Sequence, residues 1–246
     1  MSNKQSTIRK CKNIRDRVYD REQLPRAVFK REVLKLISPE SIIADIGCGH
    51  KATVLRQLSS YARKGYGIDL EISETFIDGN IQIMHGNAEA LPLQDHSVDV
   101  ITMGNVVEHL PDPKRVLMEC KRVLRPGGSL ILITPRKFYP PILFGRAFPQ
   151  FIRKRVNFII TGTKHEDTFP AYYRANSAGA LRRLGASTGL SVESIRYLSQ
   201  HPQYLMFSTI IYRCAVAIER HIFQIKTFQR LRPIIFCHFK SPTGIA

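Results

Sequence analysis

Asp45 closes a short apolar run just before two glycines, in Ser41-Ile-Ile-Ala-Asp-Ile-Gly-Cys-Gly-His-Lys-Ala-Thr-Val-Leu55, and a second acid, Asp69, follows further on. Closely spaced glycines let a backbone pass near a ligand, and an acid about 20 residues downstream can accept hydrogen bonds from ribose hydroxyls. Gly47-x-Gly49-x-x-Ala52 fits the dinucleotide pattern as well as it fits the site of another nucleoside. Asp45 weighs against the dinucleotide, because a carboxylate at a strand end repels a pyrophosphate and attracts a ligand carrying ammonium and sulfonium charges.

Such a turn must sit between a strand and a helix, and the periodicity supplies both. Ile42, Ile43, Ala44 and Ile46 read as a buried strand, whereas Val54, Leu55, Leu58 and Tyr61 recur at helical spacing. Further strands are expected over Gly65–Leu70, Ile81–His85, Val98–Met103 and Ser129–Thr134. Asp112 and Pro113 read as N-cap and first residue of a helix with Val116, Leu117, Cys120, Val123 and Leu124 on one stripe, stopped by Gly127-Gly128. Asn176 is expected to cap a later helix ending at Gly189, with a sixth strand over Ser191–Tyr197 and a seventh over Pro233–Phe239. Strands alternating with helices imply an α/β chain whose parallel sheet has helices on both faces and binds its ligand at the carboxyl ends of the strands.

Asp45-Ile-Gly-Cys-Gly49, Gly67-Ile-Asp69, Gly86-Asn-Ala-Glu-Ala-Leu-Pro92, Ser97-Val-Asp-Val100, Val106-Val-Glu-His-Leu-Pro-Asp-Pro113 and Arg122-Val-Leu-Arg-Pro-Gly-Gly128 occur in one order and spacing. Together they resemble the motifs of class I S-adenosylmethionine-dependent methyltransferases, in particular the small-molecule group that includes quinone-biosynthesis enzymes. The resemblance implies a Rossmann-like sheet of seven strands, mostly parallel with the last antiparallel, and S-adenosylmethionine as cofactor. It also implies a cofactor-binding set of Asp45, Gly47, Cys48, Gly49, Asp69, Leu70, Asn87, Ala88, Glu89 and Asn105. In that set Asp45 and the Gly47–Gly49 backbone hold the methionyl end, Asp69 holds the ribose, and Asn87, where the family usually has Asp, meets the adenine with Ala88 and Glu89. His109 is the candidate catalytic residue, a general base toward an acceptor hydroxyl or else a structural side chain. Some quinone enzymes bind a divalent metal through a Glu-x-x-Glu-His cluster, but Asn105 replaces the first Glu here, so no metal is expected.

Outside residues 40–135 the resemblance lapses, and that is where the acceptor must be chosen. Residues 1–35 carry eleven Lys/Arg against four Asp/Glu and read as a basic arm leading into one amphipathic helix through Leu24, Val28, Val33 and Ile37, ended near Ser38-Pro39. The expected organisation is a single methyltransferase domain over 1–246: a basic helical arm at 1–37, a cofactor core at 38–135 and a substrate-side half at 136–246. Two insertions are expected, at about 136–160, basic and aromatic with no acid, and at about 201–230, apolar and helical between Tyr204 and Ile225. Their composition suits a substrate lid, a dimer contact or a surface touching lipid tails and phosphates, and His165-Glu-Asp167 could add polar substrate contacts.

The net charge of +17 implies a polyanionic partner, whether an anionic membrane face, a phosphorylated substrate or nucleic acid. Five scattered cysteines make neither a disulfide framework nor a zinc site, and with no spanning helix or leader a cytoplasmic protein, peripheral at the inner membrane face, is expected. The leading function is methyl transfer to a small or lipid-linked acceptor. Alternatives are an RNA or DNA methyltransferase, against which stands Gly104-Asn-Val-Val107 where base-amine enzymes carry Asn/Asp-Pro-Pro-aromatic, and a non-catalytic cofactor-binding protein.

Overall fold

The β-branched run at Ile42–Ile46 forms β1, with every residue from Ile43 to Ile46 buried. Strands buried on both faces need continuous apolar sequence, and this run supplies it. The computed structural model describes residues 2–139 and 170–244, in two compact units. One unit comprises Val28–Pro135, Ala171–Arg196 and Ile235–Ala246. In chain order its elements are β1, α3 (Thr53–Ser59), β2 (Lys64–Asp69), β3 (Phe76–Asp78), β4 (Ile81–His85), β5 (Val98–Gly104), α4 (Pro113–Val123), β6 (Leu124–Pro135), α5 (Ala178–Thr188), β7 (Ser191–Leu198) and β8 (Ile234–Lys240).

The strands form one sheet in the order β3-β4-β2-β1-β5-β6-β8-β7. β4, β2, β1, β5 and β6 are mutually parallel, and β3 pairs antiparallel with β4. Beyond β8, Gly127 N donates to Pro242 O and Ser241 N to Gly128 O, an antiparallel sense against β6. The Rossmann-like class is as expected, with eight strands in the sheet among the described residues where seven had been expected. The additional strand is β3, joined to β4 by Gly79-Asn80 with Gly79 at φ +60°. All three of its residues are exposed, so it lacks the apolar alternation that marks a strand in sequence.

Three helix boundaries also differ from expectation. The α3 helix ends at Ser59, leaving Tyr61 51% exposed instead of on the buried stripe. The α4 helix ends at Val123, so Leu124 opens β6 and Gly127-Gly128 lie within a strand. At α5 the cap is Ser177, whose Oγ accepts from Ala180 N, while Asn176 is buried and bonded elsewhere.

The other unit gathers Met1–Ala27, Arg136–Pro170 and Tyr197–Ile234. Its described helices include α1 (Ser2–Val18) and α6 (Thr209–Gln224), and α2 (Pro25–Leu34) begins within it. The basic arm is therefore itself a helix, separate from α2, where one helix had been expected from Arg21 onward. Cys11 on α1 is buried against Tyr212 and Val216 of α6, with Ile14 and Val18 packed alongside. Tyr19 and Tyr139 donate hydroxyls to the Glu219 carboxylate at 3.2 and 3.0 Å, so the single acid of α6 points into this unit. The second expected insertion coincides with α6. The first, from residue 140 onward, and His165-Glu-Asp167 lie outside the described residues.

Candidate functional site

β1 has β2 on one side and β5 on the other, so successive connections leave it in opposite directions and open a crevice at the carboxyl ends. Asp45 lies in register with Gly67 of β2 and Thr102 of β5. Its carboxylate is 3% exposed and accepts Thr102 Oγ1 at 2.6 Å. Burial pushes the Asp45 carboxyl up to about 7, the Thr102 hydrogen bond opposes the rise and the nearby Asp69 charge adds to it. An acid held this way is poised to ionise when a cation arrives.

The turn after β1 is built by conformation. Gly47 has φ +72°, and a Cβ there would meet Val106 Cγ2 at 2.3 Å, so the β1 and β5 loops touch only because this residue is glycine. Gly49 has φ +63° and faces open space. The amides of Gly47 and Cys48 donate to Ile68 O, and Gly49 N donates to Asp69 Oδ2 at 2.7 Å. All three amides are thus engaged inside the turn, and a ligand carboxylate would have to find other donors. Burial pushes the Cys48 thiol up to about 12, which leaves it unreactive as a nucleophile.

Asp69 ends β2 with its other oxygen accepting Glu71 N at 2.9 Å, and each oxygen retains acceptor capacity. Beside it Leu70 is 49% exposed. The Asp69 carbonyl accepts Gly86 N, which sets the loop after β4 next to Asp69. Within that loop Asn87 Oδ1 accepts Glu89 N at 2.9 Å, and Ala88 lies between them. The loop's far end is stapled by Arg122 of α4, which donates to Leu91 O, Leu93 O, Asp95 and Glu119, while Glu119 accepts Leu91 N. Two motifs of the resemblance therefore position the site instead of lining it: Arg122 holds the β4 loop, and Asp99, paired with Arg125, accepts Ile42 N at the start of β1.

Past β5, Asn105 is exposed at φ +60° and its amide donates to Ile133 O. His109 ends the single turn Val107–His109, its amide donating to Val106 O. Glu108 turns inward instead, buried and accepting Thr134 Oγ1 at 2.9 Å; burial raises its carboxyl above the usual range. Thr134 in turn accepts Asn176 Nδ2, which also donates to Pro135 O. Sequence reasoning missed Thr102 and Thr134 and read Asn176 only as a helix cap. A lone hydroxyl inside an apolar strand, as in Val-Ile-Thr-Met103 and Ile-Leu-Ile-Thr134, is the signal that could have found the two threonines, since a buried hydroxyl must be paired.

A known family matches this same region. A family described as the methyltransferase domain covers residues 44–132, from β1 into β6. Over 174 residues the chain is 31% identical to a Mycolicibacterium smegmatis protein described as a probable S-adenosylmethionine-dependent methyltransferase, covering 65% of each chain. Over 118 residues it is 30% identical to demethylmenaquinone methyltransferase of Listeria welshimeri, covering 43% of this chain and 50% of that one. The chain thus spans 65% and 50% of these two relatives. An S-adenosylmethionine dependent methyltransferase from Mesorhizobium loti shares the fold with TM-score 0.60 at 16% identity, over 87% of this chain and 96% of that one. The matched residues contain Asp45, the glycine turn, Asp69, the β4 loop and the β5 loop, whereas α1, α5 and α6 lie outside them.

Proposed function

We propose that this chain is an S-adenosylmethionine-dependent methyltransferase acting on a small or lipid-linked acceptor, working at the inner face of a membrane. The observation that carries the reading is Asp45, a buried acid at the crevice with a hydroxyl partner and no basic group among the causes that set its ionisation. A pyrophosphate would raise its cost further, whereas a positively charged donor would relieve it.

The donor supplies an electrophilic methyl on a sulfonium, and the chain's task is to bind and orient it. Asp45 ionises and faces the positive methionyl end. Gly47, Cys48 and Gly49 shape the turn, Asp69 accepts from the ribose hydroxyls, and Leu70 covers the base. Asn87, Ala88 and Glu89 meet the adenine edge, with Asn105 opposite on the β5 loop. His109 accepts the acceptor's proton where that acceptor is a hydroxyl.

The charge of +17 favours a second reading, methylation of nucleic acid, through phosphate contacts. One experiment separates them: a lysate is incubated with the protein and methyl-labelled donor, then divided into lipid, RNA and soluble fractions. Label in the lipid or small-molecule fraction is expected, and label confined to RNA would overturn the reading.

A further inference from the structure

The outward side of α6 is apolar where solvent should have made it polar. Tyr212 and Val216 are its buried positions, and Glu219 faces the same way onto Tyr19 and Tyr139. Away from them Ile210 is 76% and Ile218 58% exposed, with Ile211 on the helix flank and Ile225 just past the helix end also open. Single exposed isoleucines are ordinary, but several on one helix face mark a surface that is covered in use.

Arg213 and Arg220, seven residues apart, line one flank of that stripe, and Lys226 and Arg230 follow in the next turn beside the exposed Phe228 and Leu231. Glu219 is the only acid between Phe207 and Arg232, and it is turned inward. No described acid forms an ion pair with Arg213, Arg220, Lys226 or Arg230. A second copy of the chain docking face to face would bring these cations against their own counterparts, so the occupant must carry negative charge as well as an apolar interior.

We infer that α6 lies in the plane of an anionic bilayer, its isoleucines entering the acyl boundary and its flanking arginines and lysine pairing with lipid phosphates. At 16 residues the helix is too short to span, and a helix with one apolar face edged by Arg and Lys has the form of an interfacial element. This deepens the proposed membrane-surface action by naming the element that docks, and docking itself requires neither donor nor acceptor.

Full-length protein is sedimented with phosphatidylcholine vesicles and with vesicles containing about 30% phosphatidylglycerol, at about 0.1 M and about 0.5 M salt. Binding is expected to be at least about tenfold tighter to the anionic vesicles and to weaken at high salt. Ile210→Ser with Ile218→Ser, and separately Arg213→Gln with Arg220→Gln, should each weaken it about tenfold or more, with thermal melting and donor binding unchanged because all four side chains are exposed. Vesicle binding unaffected by both pairs would overturn the inference. So would a dimer in solution that the isoleucine pair dissociates while vesicle binding persists, which would assign the face to self-association. Loss of donor binding in unaltered protein would instead strike at the methyltransferase reading and leave the docking result standing.

Discussion

At Asp45 the ionisation state and the ligand are linked. Its carboxyl is raised from 3.8 to about 7 in the folded chain. The fold therefore keeps a proton that the unfolded chain releases, and stability falls as pH rises from about 4 to about 7 by an amount on the order of 4 kcal/mol. A cationic donor reverses the preference, so its affinity should rise nearly tenfold per unit up to about pH 7 and then level. Calorimetric titration across that range checks this, and Asp45→Asn should bind weakly with no such slope. The glycines make a second pair of expectations. Gly47→Ala combines φ +72° with a 2.3 Å clash on Val106 and should cost about 2–4 kcal/mol in urea unfolding; Gly49→Ala has open space and should cost about 1 kcal/mol for its backbone alone. Asp45, Asp69 and the glycines were legible because their spacing is local. Thr102, Thr134 and Asn176 were not, because their partners come from elements 26 to 58 residues away.

Among the elements, those with strong periodicity or explicit caps were readable from sequence. Asp112 accepts from Lys114 N and Arg115 N ahead of Pro113, as its position suggested, and Asp112→Ala should lower stability by about 1 kcal/mol in thermal or urea unfolding. The α1 helix was not told apart from α2 within the expected basic helical arm because its sequence is mostly basic and polar, and Cys11, Ile14 and Val18 find their partners on α6 and at Leu205 and Met206 just before it, about 200 residues on. Asn176 was mistaken for the α5 cap because either Asn176 or the adjacent Ser177 could serve, and only the buried Thr134 hydroxyl decides between them. The strand β3 is exposed throughout and held by a two-residue turn, so hydrophobicity carried no trace of it.

For the molecule as a whole, the crevice residues lie in the segment that matches the methyltransferase domain, while the acceptor class proposed above rests on the composition of the other unit and on the charge of +17. Charge is a sum over the chain and names no partner by itself; the placement of Arg213 and Arg220 beside exposed isoleucines is what gives it direction. Everything proposed for the acceptor depends first on which nucleoside the crevice takes. The decisive test is calorimetric titration of the full chain with S-adenosylhomocysteine and, separately, with a nicotinamide dinucleotide. Saturable binding of S-adenosylhomocysteine alone is expected, weakened at least about tenfold by Asp69→Asn through the ribose contacts. Binding of the dinucleotide without S-adenosylhomocysteine, or an Asp69→Asn chain that binds as well as the original, would contradict it.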